Sequence, residues 1–300
     1  MSDRLQTLTA RVSAGEPLSD ADLDVLAQST DLLTLGMLAD DARRRRHGAA
    51  TTFVRVHEVD LAAVAAGVTV PPSAREVRVR GDVLPLPGAL AALGAVVAAA
   101  GPVPVSAFSL ADLERAADGS EHSLAELLQL IRRSGVTAIA EAPLDLLTRP
   151  EASLEAVRAA DLALARLTIE RPGDRQARVA WLTRASELQH TFGWIRSFAP
   201  LPRTWDPAVP TTGYEDVRQV ALARLIADNI PSIQVDWALY GPKLAQVALT
   251  VGADDIDAVS ASDEAPDGRR RSPLEEILRN IKAAALVPVE RDGAYARVVG

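Results

Sequence analysis

Residues 225–259 read LIADNIPSIQVDWALYGPKLAQVALTVGADDIDAV. An apolar, β-branched run at residues 232–237 is followed by a helical pattern at residues 242–251 and by a second short run at residues 255–259. Gly252 follows the helical pattern, at the place where a glycine C-cap is expected. A strand, a helix and a strand in this order predict two parallel strands joined by a crossover helix.

Short apolar runs alternate with helical patterns from residue 52 onward, so the same unit recurs along the chain. Eight strands with eight following helices are the number found in a (β/α)8 barrel, and we therefore predict an α/β fold of the TIM-barrel type. The predicted strands cover residues 52–57, 76–80, 103–108, 136–140, 165–169, 194–200, 232–237 and 255–259. The predicted helices cover residues 60–66, 88–100, 110–134, 153–162, 174–191, 214–229, 242–251 and 273–285.

The chain is predicted to have two regions. Residues 1–50 carry leucines at helical spacing, with Ser19 as the expected N-cap of one helix. An arginine run at residues 43–46 suits the C-terminus of the following helix. Residues 1–50 therefore form an N-terminal helical extension, and residues 51–300 form the barrel with its C-terminal helix and tail.

The composition and charge of the chain argue against several classes of protein. The chain has 300 residues, 48% of them hydrophobic, and a formal net charge of -8, which is not expected of a nucleic-acid binder. It contains no run of 18 apolar residues and no signal-peptide pattern, so we expect a cytoplasmic protein without membrane contact. It contains no cysteine, which excludes disulfides, thiolate metal sites and a cysteine nucleophile.

Several stretches resemble one branch of the radical S-adenosylmethionine (SAM) enzymes: aminofutalosine synthase, dehypoxanthine futalosine cyclase and deazaflavin (FO) synthase. Residues 225–259 resemble the seventh and eighth βα units of that branch. The resemblance implies a radical-SAM-like barrel connected with menaquinone biosynthesis by the futalosine pathway. Shorter matching stretches lie at residues 35–55, 105–113, 187–189, 197–202 and 288–295.

The chain departs from this family at the positions that bind its cofactors. The family holds a [4Fe–4S] cluster on a CxxxCxxC loop after the first strand, with thiolates as ligands. Residues 56–69 of this chain read VHEVDLAAVAAGVT and contain no cysteine. After the second strand, residues 80–82 read RGD in place of a Gly-Gly motif that contacts the methionine amine of SAM. The resemblance therefore implies a degenerate, cluster-less member, and no cofactor and no metal are predicted.

Side chains that follow barrel strands are the usual catalytic groups of this fold. His57 and Glu58 follow the first predicted strand, and Asp82 follows the second. An imidazole and carboxylates could act as an acid–base pair or bind a divalent metal. The alternative is a loop histidine that is hydrogen-bonded to a neighbouring carboxylate. These three residues are the predicted catalytic group.

Three further carboxylates could project into the mouth of the barrel from three different strands: Glu141, Glu170 and Asp257. If they cluster, they raise one another's pKa, as a general acid requires. Alternatively, Arg171 and Arg203 neutralise them in salt bridges, or grip a carboxylated ligand in bidentate fashion. We predict that all five residues bind a ligand.

Two aromatic residues flank the end of the seventh predicted strand. Trp237 and Tyr240 could stack a purine or a benzoate ring, and they are also predicted to bind a ligand. The alternative is that both residues only pack against the barrel.

Three hypotheses of function remain open, and so does the question of whether the chain is an enzyme. The first is an accessory or non-catalytic protein of the futalosine pathway, which pairs with an intact radical SAM paralogue in a hetero-oligomer. The second is a repurposed lyase or hydrolase that uses acid–base residues. The third is a small-molecule binding protein.

Overall fold

The computed structural model describes residues 8–12, 14–16, 18–205, 213–265 and 271–298. The helices are α1 (Asp20–Gln28), α2 (Leu32–His47), α3 (Leu86–Ala100), α4 (Leu110–Asp118), α5 (Leu124–Arg133), α6 (Pro150–Ala159), α7 (Arg175–Phe192), α8 (Gly213–Ile226), α9 (Trp237–Leu249) and α10 (Pro273–Ala283). The strands are β1 (Ala50–Asp60), β2 (Glu76–Arg80), β3 (Val105–Ser109), β4 (Ala138–Pro143), β5 (Ala163–Leu164), β6 (Leu167–Ile169), β7 (Ser197–Pro202), β8 (Ser232–Asp236), β9 (Asp255–Ser260) and β10 (Val287–Glu290).

The strands follow one another in a single sheet in the order β10-β1-β2-β3-β4-β6-β7-β8-β9, and β5 pairs with β4. β9 also pairs with β1, so the sheet closes. Neighbouring strands run parallel, as in the pairs Val56↔Glu76 of β1 and β2 and Val77↔Val105 of β2 and β3. With helices between parallel strands, this is the predicted (β/α)8 fold with an N-terminal helical extension, and the prediction is confirmed.

The chain divides into two compact units. The first unit comprises the chain up to Thr52 together with Ile169–Ile256 and Ile277–Pro288; its helices α2 and α8 pack together. The second unit comprises Phe53–Thr168, Asp257–Glu276 and the chain from Val289 onward; its helices α5 and α6 pack together.

The first strand is longer than the sequence predicts. β1 ends at Asp60 rather than at residue 57, and the Asp60 side chain caps a short 3-10 helix, Leu61–Ala66, by accepting a hydrogen bond from the backbone of Ala62 at 2.9 Å. His57 and Glu58 therefore lie inside the strand, where consecutive side chains point to opposite faces of the sheet.

The prediction of a single helix over residues 110–134 is wrong, because two helices occupy that range. α4 ends at Asp118 with Gly119 as its C-cap, and Ser123 is the N-cap of α5 and forms a capping box. The Ser123 backbone N–H donates to the Glu126 carboxylate at 2.8 Å, and the Glu126 N–H donates to the Ser123 hydroxyl at 3.3 Å. This reciprocal pair satisfies the first free N–H groups of a new helix. The same motif at Ser19 confirms the predicted N-cap of α1.

Two strands differ from the prediction. The fifth predicted strand, over residues 165–169, is divided into β5 and β6, which both pair with β4. β10 lies in the predicted C-terminal tail and pairs with β1. Its sequence, VPVE, is too short and too interrupted by proline to be recognised as a strand.

Replacing Gly252 by alanine is expected to destabilise the protein by about 2 kcal/mol. Gly252 has a φ of 117°, and a Cβ at this position would lie 2.8 Å from the Cβ of Arg224 and 3.1 Å from that of Ala39. The alanine therefore meets both a strained backbone and two buried neighbours. Urea unfolding measures the change.

The matched control is Gly94→Ala, since Gly94 lies inside α3 and a Cβ there contacts nothing within 4 Å. That change should stabilise the protein by roughly 0.5–1 kcal/mol, because alanine favours helix. Equal effects of the two substitutions would contradict the account of the Gly252 turn.

None of the helices in the described ranges combines the length and the apolar character needed to cross a membrane.

Candidate functional site

Four ionised side chains meet in the second unit. Arg78 donates from Nε to Glu76 Oε1 at 3.0 Å and from Nη2 to Asp257 Oδ1 at 2.8 Å. Arg166 donates to Asp257 Oδ2 at 2.5 Å and to Glu76 Oε1 at 3.1 Å. Each of the four residues is at most 2% exposed. We call these four residues the ion cluster.

The strand geometry explains how the ion cluster forms. Glu76 and Arg78 are two residues apart on β2, so both side chains point to the same face of the sheet. Ser106 on β3 stands opposite Arg78 in the register, and its hydroxyl donates to Glu76 Oε1 at 2.6 Å. Buried charges of this kind are tolerated only when paired and hydrogen-bonded, and here each carboxylate contacts both guanidinium groups.

The arginines determine the protonation of both acids. Burial alone would raise the pKa of Glu76, but the charges of Arg78 and Arg166 outweigh burial and lower this pKa to about 2. For Asp257, burial is likewise outweighed by Arg166 and Arg78, which hold the pKa of that carboxyl well below its usual range. Two negative and two positive charges therefore persist at neutral pH, and the ion cluster is neutral as a whole.

The C-terminal turn, residues 291–298, lies against the ion cluster. A Cβ on Gly293 would lie only 2.9 Å from Cγ of Glu76. The Tyr295 hydroxyl donates to the backbone carbonyl of Ala165 at 2.7 Å, and the Arg291 guanidinium stacks on the Tyr295 ring at 4.0 Å from its centre. Because Glu76 begins β2, this turn covers the amino end of that strand.

Asp257 is the only predicted site residue that lies in the ion cluster. Its partners are Arg78 and Arg166, not the predicted Arg171 or Arg203. The carboxylate that shares these arginines is Glu76 rather than Glu141 or Glu170. The salt-bridge alternative therefore describes Asp257, and the expectation of a raised pKa is wrong for this residue, because two guanidinium groups contact it directly.

The ion cluster has a signal in the sequence that matches no known catalytic motif. Residues 76–80 read EVRVR, with charged residues at every second position of a strand. Such alternation places several charges on one face, which is typical of a polar barrel interior rather than of a solvent-exposed edge. No comparable signal marks Arg166, which lies between the two short strands β5 and β6.

The three predicted catalytic residues are not joined by hydrogen bonds among the described residues. Glu58 Oε1 accepts from Arg80 at 2.6 Å and lies 4.0 Å from Arg78 Nη1. His57 pairs with Val77 in the register, and its side chain points to the face opposite that of Glu58. Asp82 follows β2 and is exposed. A catalytic role for these residues stays a prediction.

Arg203, Trp237 and Tyr240 lie in the first unit. Arg203 Nη2 donates to Asp236 Oδ2 at 3.1 Å, and the other oxygen of Asp236 caps α9. Trp237 is 7% exposed, which leaves little of its ring available for stacking. The Tyr240 hydroxyl donates to the backbone carbonyl of Pro202, and burial raises the pKa of Tyr240 well above its usual value. All three side chains are thus engaged in packing or hydrogen bonds.

The remaining predicted ligand-binding residues lie at the ends of strands. Glu141 is half-buried near the end of β4 and stands opposite Ser109 of β3. Glu170 follows β6, and its backbone carbonyl accepts from the Thr204 N–H at 2.9 Å; the next residue, Arg171, is exposed.

The donor set does not fit a [4Fe–4S] cluster. The segment after β1 is the 3-10 helix Leu61–Ala66, which carries only leucine, alanine and valine. The 300-residue chain has no cysteine to supply thiolates. Within the described ranges, no group of three His, Asp or Glu side chains is arranged to hold a metal ion. No reaction step through such a cluster can be derived for these residues.

Comparison with known proteins supports the relationship predicted from the motifs. Residues 201–298 match the CofH/MqnC C-terminal region. Aminodeoxyfutalosine synthase of Thermus thermophilus is 34% identical over 140 residues, which are 41% of this chain and 37% of that protein. Cyclic dehypoxanthine futalosine synthase of Streptomyces coelicolor is 29% identical over 132 residues, which are 41% of this chain and 33% of that protein. The chain thus spans well under half the length of these curated relatives.

Solved structures support the fold. HydG, a maturase of the [FeFe]-hydrogenase, superimposes with a TM-score of 0.66 at 12% identity, over 98% of this chain and 77% of that one. Methylornithine synthase superimposes with a TM-score of 0.65 at 14% identity, over 94% of this chain and 97% of that one. The sequence matches confirm the resemblance to the radical SAM branch of aminofutalosine synthase and FO synthase, and the superpositions confirm the fold.

Proposed function

We propose that this relative of aminofutalosine synthase is a non-catalytic, accessory protein of menaquinone biosynthesis by the futalosine pathway. In this proposal it performs no radical chemistry and pairs in the cytoplasm with an intact radical SAM paralogue. The observation that carries the proposal is the donor set after β1, where the family's cluster loop is replaced by the apolar 3-10 helix Leu61–Ala66.

The chemistry of the missing ligands supports a non-catalytic role. An iron–sulfur cluster of this class depends on thiolates, and nitrogen or carboxylate donors replace them only at defined positions. The buried carboxylates Asp257 and Glu76 offer no such replacement, because both are neutralised by arginines. The positive charge of the two guanidinium groups opposes the approach of a metal cation to either carboxylate.

The residues at the end of β2 also support a non-catalytic role. The family's Gly-Gly motif lets a ligand approach the backbone closely, whereas this chain has Arg80 and Asp82 on either side of Gly81. Arg80 pairs with Glu58 of β1 at 2.6 Å, so its side chain joins the two strands. Loss of the cluster loop and of this contact together argues that selection has kept the scaffold and not the radical reaction.

After anaerobic reconstitution with iron and sulfide, the purified protein is expected to hold no stoichiometric iron and to release no 5′-deoxyadenosine from SAM. The positive control is the aminodeoxyfutalosine synthase of Thermus thermophilus, treated in parallel. Iron analysis and chromatography of the nucleoside products are the measurements. Four irons per chain with SAM cleavage would sink the proposal.

The accessory role has a separate test. The tagged chain should co-purify with the radical SAM paralogue of its host, and deletion of its gene should lower the menaquinone content of the cells. An unrelated (β/α)8 protein with the same tag is the control for non-specific capture. Failure of both expectations would leave a non-catalytic protein without the proposed pathway role.

A further inference from the structure

We propose that the carboxyl end of β2 carries a binding site for a small organic amine with an apolar body. Asp82 would pair with the ammonium group, and a neighbouring apolar chamber would hold the hydrocarbon part. This site lies within the second unit and does not depend on the accessory role proposed above.

Three cavities adjoin one another around residues 81–84. The first has a volume of about 280 Å³, the second about 320 Å³ and the third about 190 Å³. The first and second share Asp82 and Leu84 in their linings, and the second and third share Gly81 and Phe108. We call these three neighbouring cavities together the Asp82 groove. Its size suits a small molecule rather than a polypeptide.

The first cavity is the apolar chamber of the groove. Its walls come from the 3-10 helix after β1, from the loop that follows β2 and from the first two turns of α3. Asp82 is the only charged residue in that lining. A hydrocarbon body of ring size can therefore leave water here while a polar end stays beside one carboxylate. The apolar wall residues are Leu61, Ala62, Leu84, Pro85, Ala89 and Ala92.

The charged residues that line the groove favour a cationic ligand. The arginines that line the second and third cavities already have partners: Arg80 pairs with Glu58, Arg115 with Asp112, and Arg78 belongs to the ion cluster. Asp82 makes no hydrogen bond or ion pair with any other described residue. The groove thus presents one uncommitted negative charge, and a charged N–H donor forms its strongest complement.

The backbone under Asp82 is held in place. Gly81 has a φ of 119°, and a Cβ there would lie 3.1 Å from the Cβ of Leu61. Phe108, 3% exposed, has a φ of 61°, a conformation that is rare for a bulky residue and is found mostly where function or packing demands it. Both residues line the groove, so the carboxylate is presented from a fixed floor, which lowers the entropy cost of binding.

Calorimetry of the full chain with three probes that share a phenylalkyl body and differ in their polar group tests the proposal. The probes are 2-phenylethylamine, 2-phenylethanol and 3-phenylpropanoate. The amine should bind at least tenfold more tightly than the alcohol or the carboxylate, and it should raise the melting temperature. Asp82→Asn should weaken amine binding by about tenfold or more, because a charge-assisted hydrogen bond is lost.

Two further variants make the result decisive. Asp161→Asn, which changes an exposed acid that pairs with Arg132 and does not line the groove, should leave the affinity for the amine unchanged. Ala92→Phe fills the chamber from its half-exposed wall and should weaken binding even though Asp82 is retained.

Several outcomes would overturn the proposal. These are equal binding of the three probes, an unchanged affinity in Asp82→Asn, or no binding of the amine by the folded protein. Binding of SAM without binding of 2-phenylethylamine would also overturn it, since the groove would then be a residual cofactor site. If the protein holds no iron and cleaves no SAM but also fails to bind amines, the amine site is ruled out and the proposed accessory function is unaffected.

Discussion

Replacing Arg166 by methionine is expected to lower the free energy of unfolding by about 3–5 kcal/mol at neutral pH. Arg166 is 1% exposed and contacts both Glu76 and Asp257. Without it, two buried carboxylates share a single guanidinium, and one negative charge in the interior stays uncompensated. Methionine keeps most of the side-chain volume, so the loss reports the charge and not a cavity. Urea unfolding followed by circular dichroism gives the value.

The control for this prediction is Arg149→Met. Arg149 pairs with Asp118 at 3.0 Å, but both side chains are more than half exposed, at 59% and 64%. Solvent screens such a pair, and its loss should cost less than about 1 kcal/mol. If Arg166→Met proved as mild as this control, the ion cluster would not be a stabilising feature of the fold.

The protein is expected to lose stability steeply as the pH falls from about 5 to about 2. The pKa of Glu76 lies at about 2 in the folded protein, against 4.5 for the free group, and the pKa of Asp257 is lowered from 3.8 in the same direction. Because the unfolded chain binds these protons more readily, their contribution is complete above about pH 5 and disappears as the pH falls toward the folded values. Glu76 alone corresponds to roughly 3 kcal/mol.

Unfolding free energies at a series of pH values between 7 and 2.5 measure this dependence. Arg149→Met should retain the full slope, whereas Arg166→Met should show a shallower one, since a single guanidinium lowers the two pKa values less. An identical slope in Arg166→Met would mean that acid sensitivity arises elsewhere in the molecule.

Much of the fold follows from short-range patterns in the sequence. Residues 76–80 form β2 as predicted, because alternating valines fix a strand between polar turns. The prediction of one helix over residues 110–134 overlooks the interruption between α4 and α5, although Gly119 and Ser123 are ordinary stop and start signals. β10 could not be predicted, since its four residues depend on β1 for their hydrogen bonds.

The candidate site was predicted less well than the fold. The position after a strand identifies Asp82, but the partner of a buried charge such as Asp257 depends on contacts between distant strands. Asp257 and Arg78 are 179 positions apart, and only the closed sheet brings them together. The rule that active residues follow barrel strands also draws attention away from Glu76, which begins its strand.

The C-terminal turn bears on when the protein can fold during synthesis. Tyr295 contacts Ala165, and Gly293 packs on Glu76, so these pairs are separated by 130 or more positions along the chain. On the ribosome, a nascent chain must therefore emerge almost to Tyr295 before these contacts form. Until then the amino end of β2 lacks its cover, and the charges beneath it meet water. Contacts between residues so far apart in the chain form slowly, because the loop between them must close first.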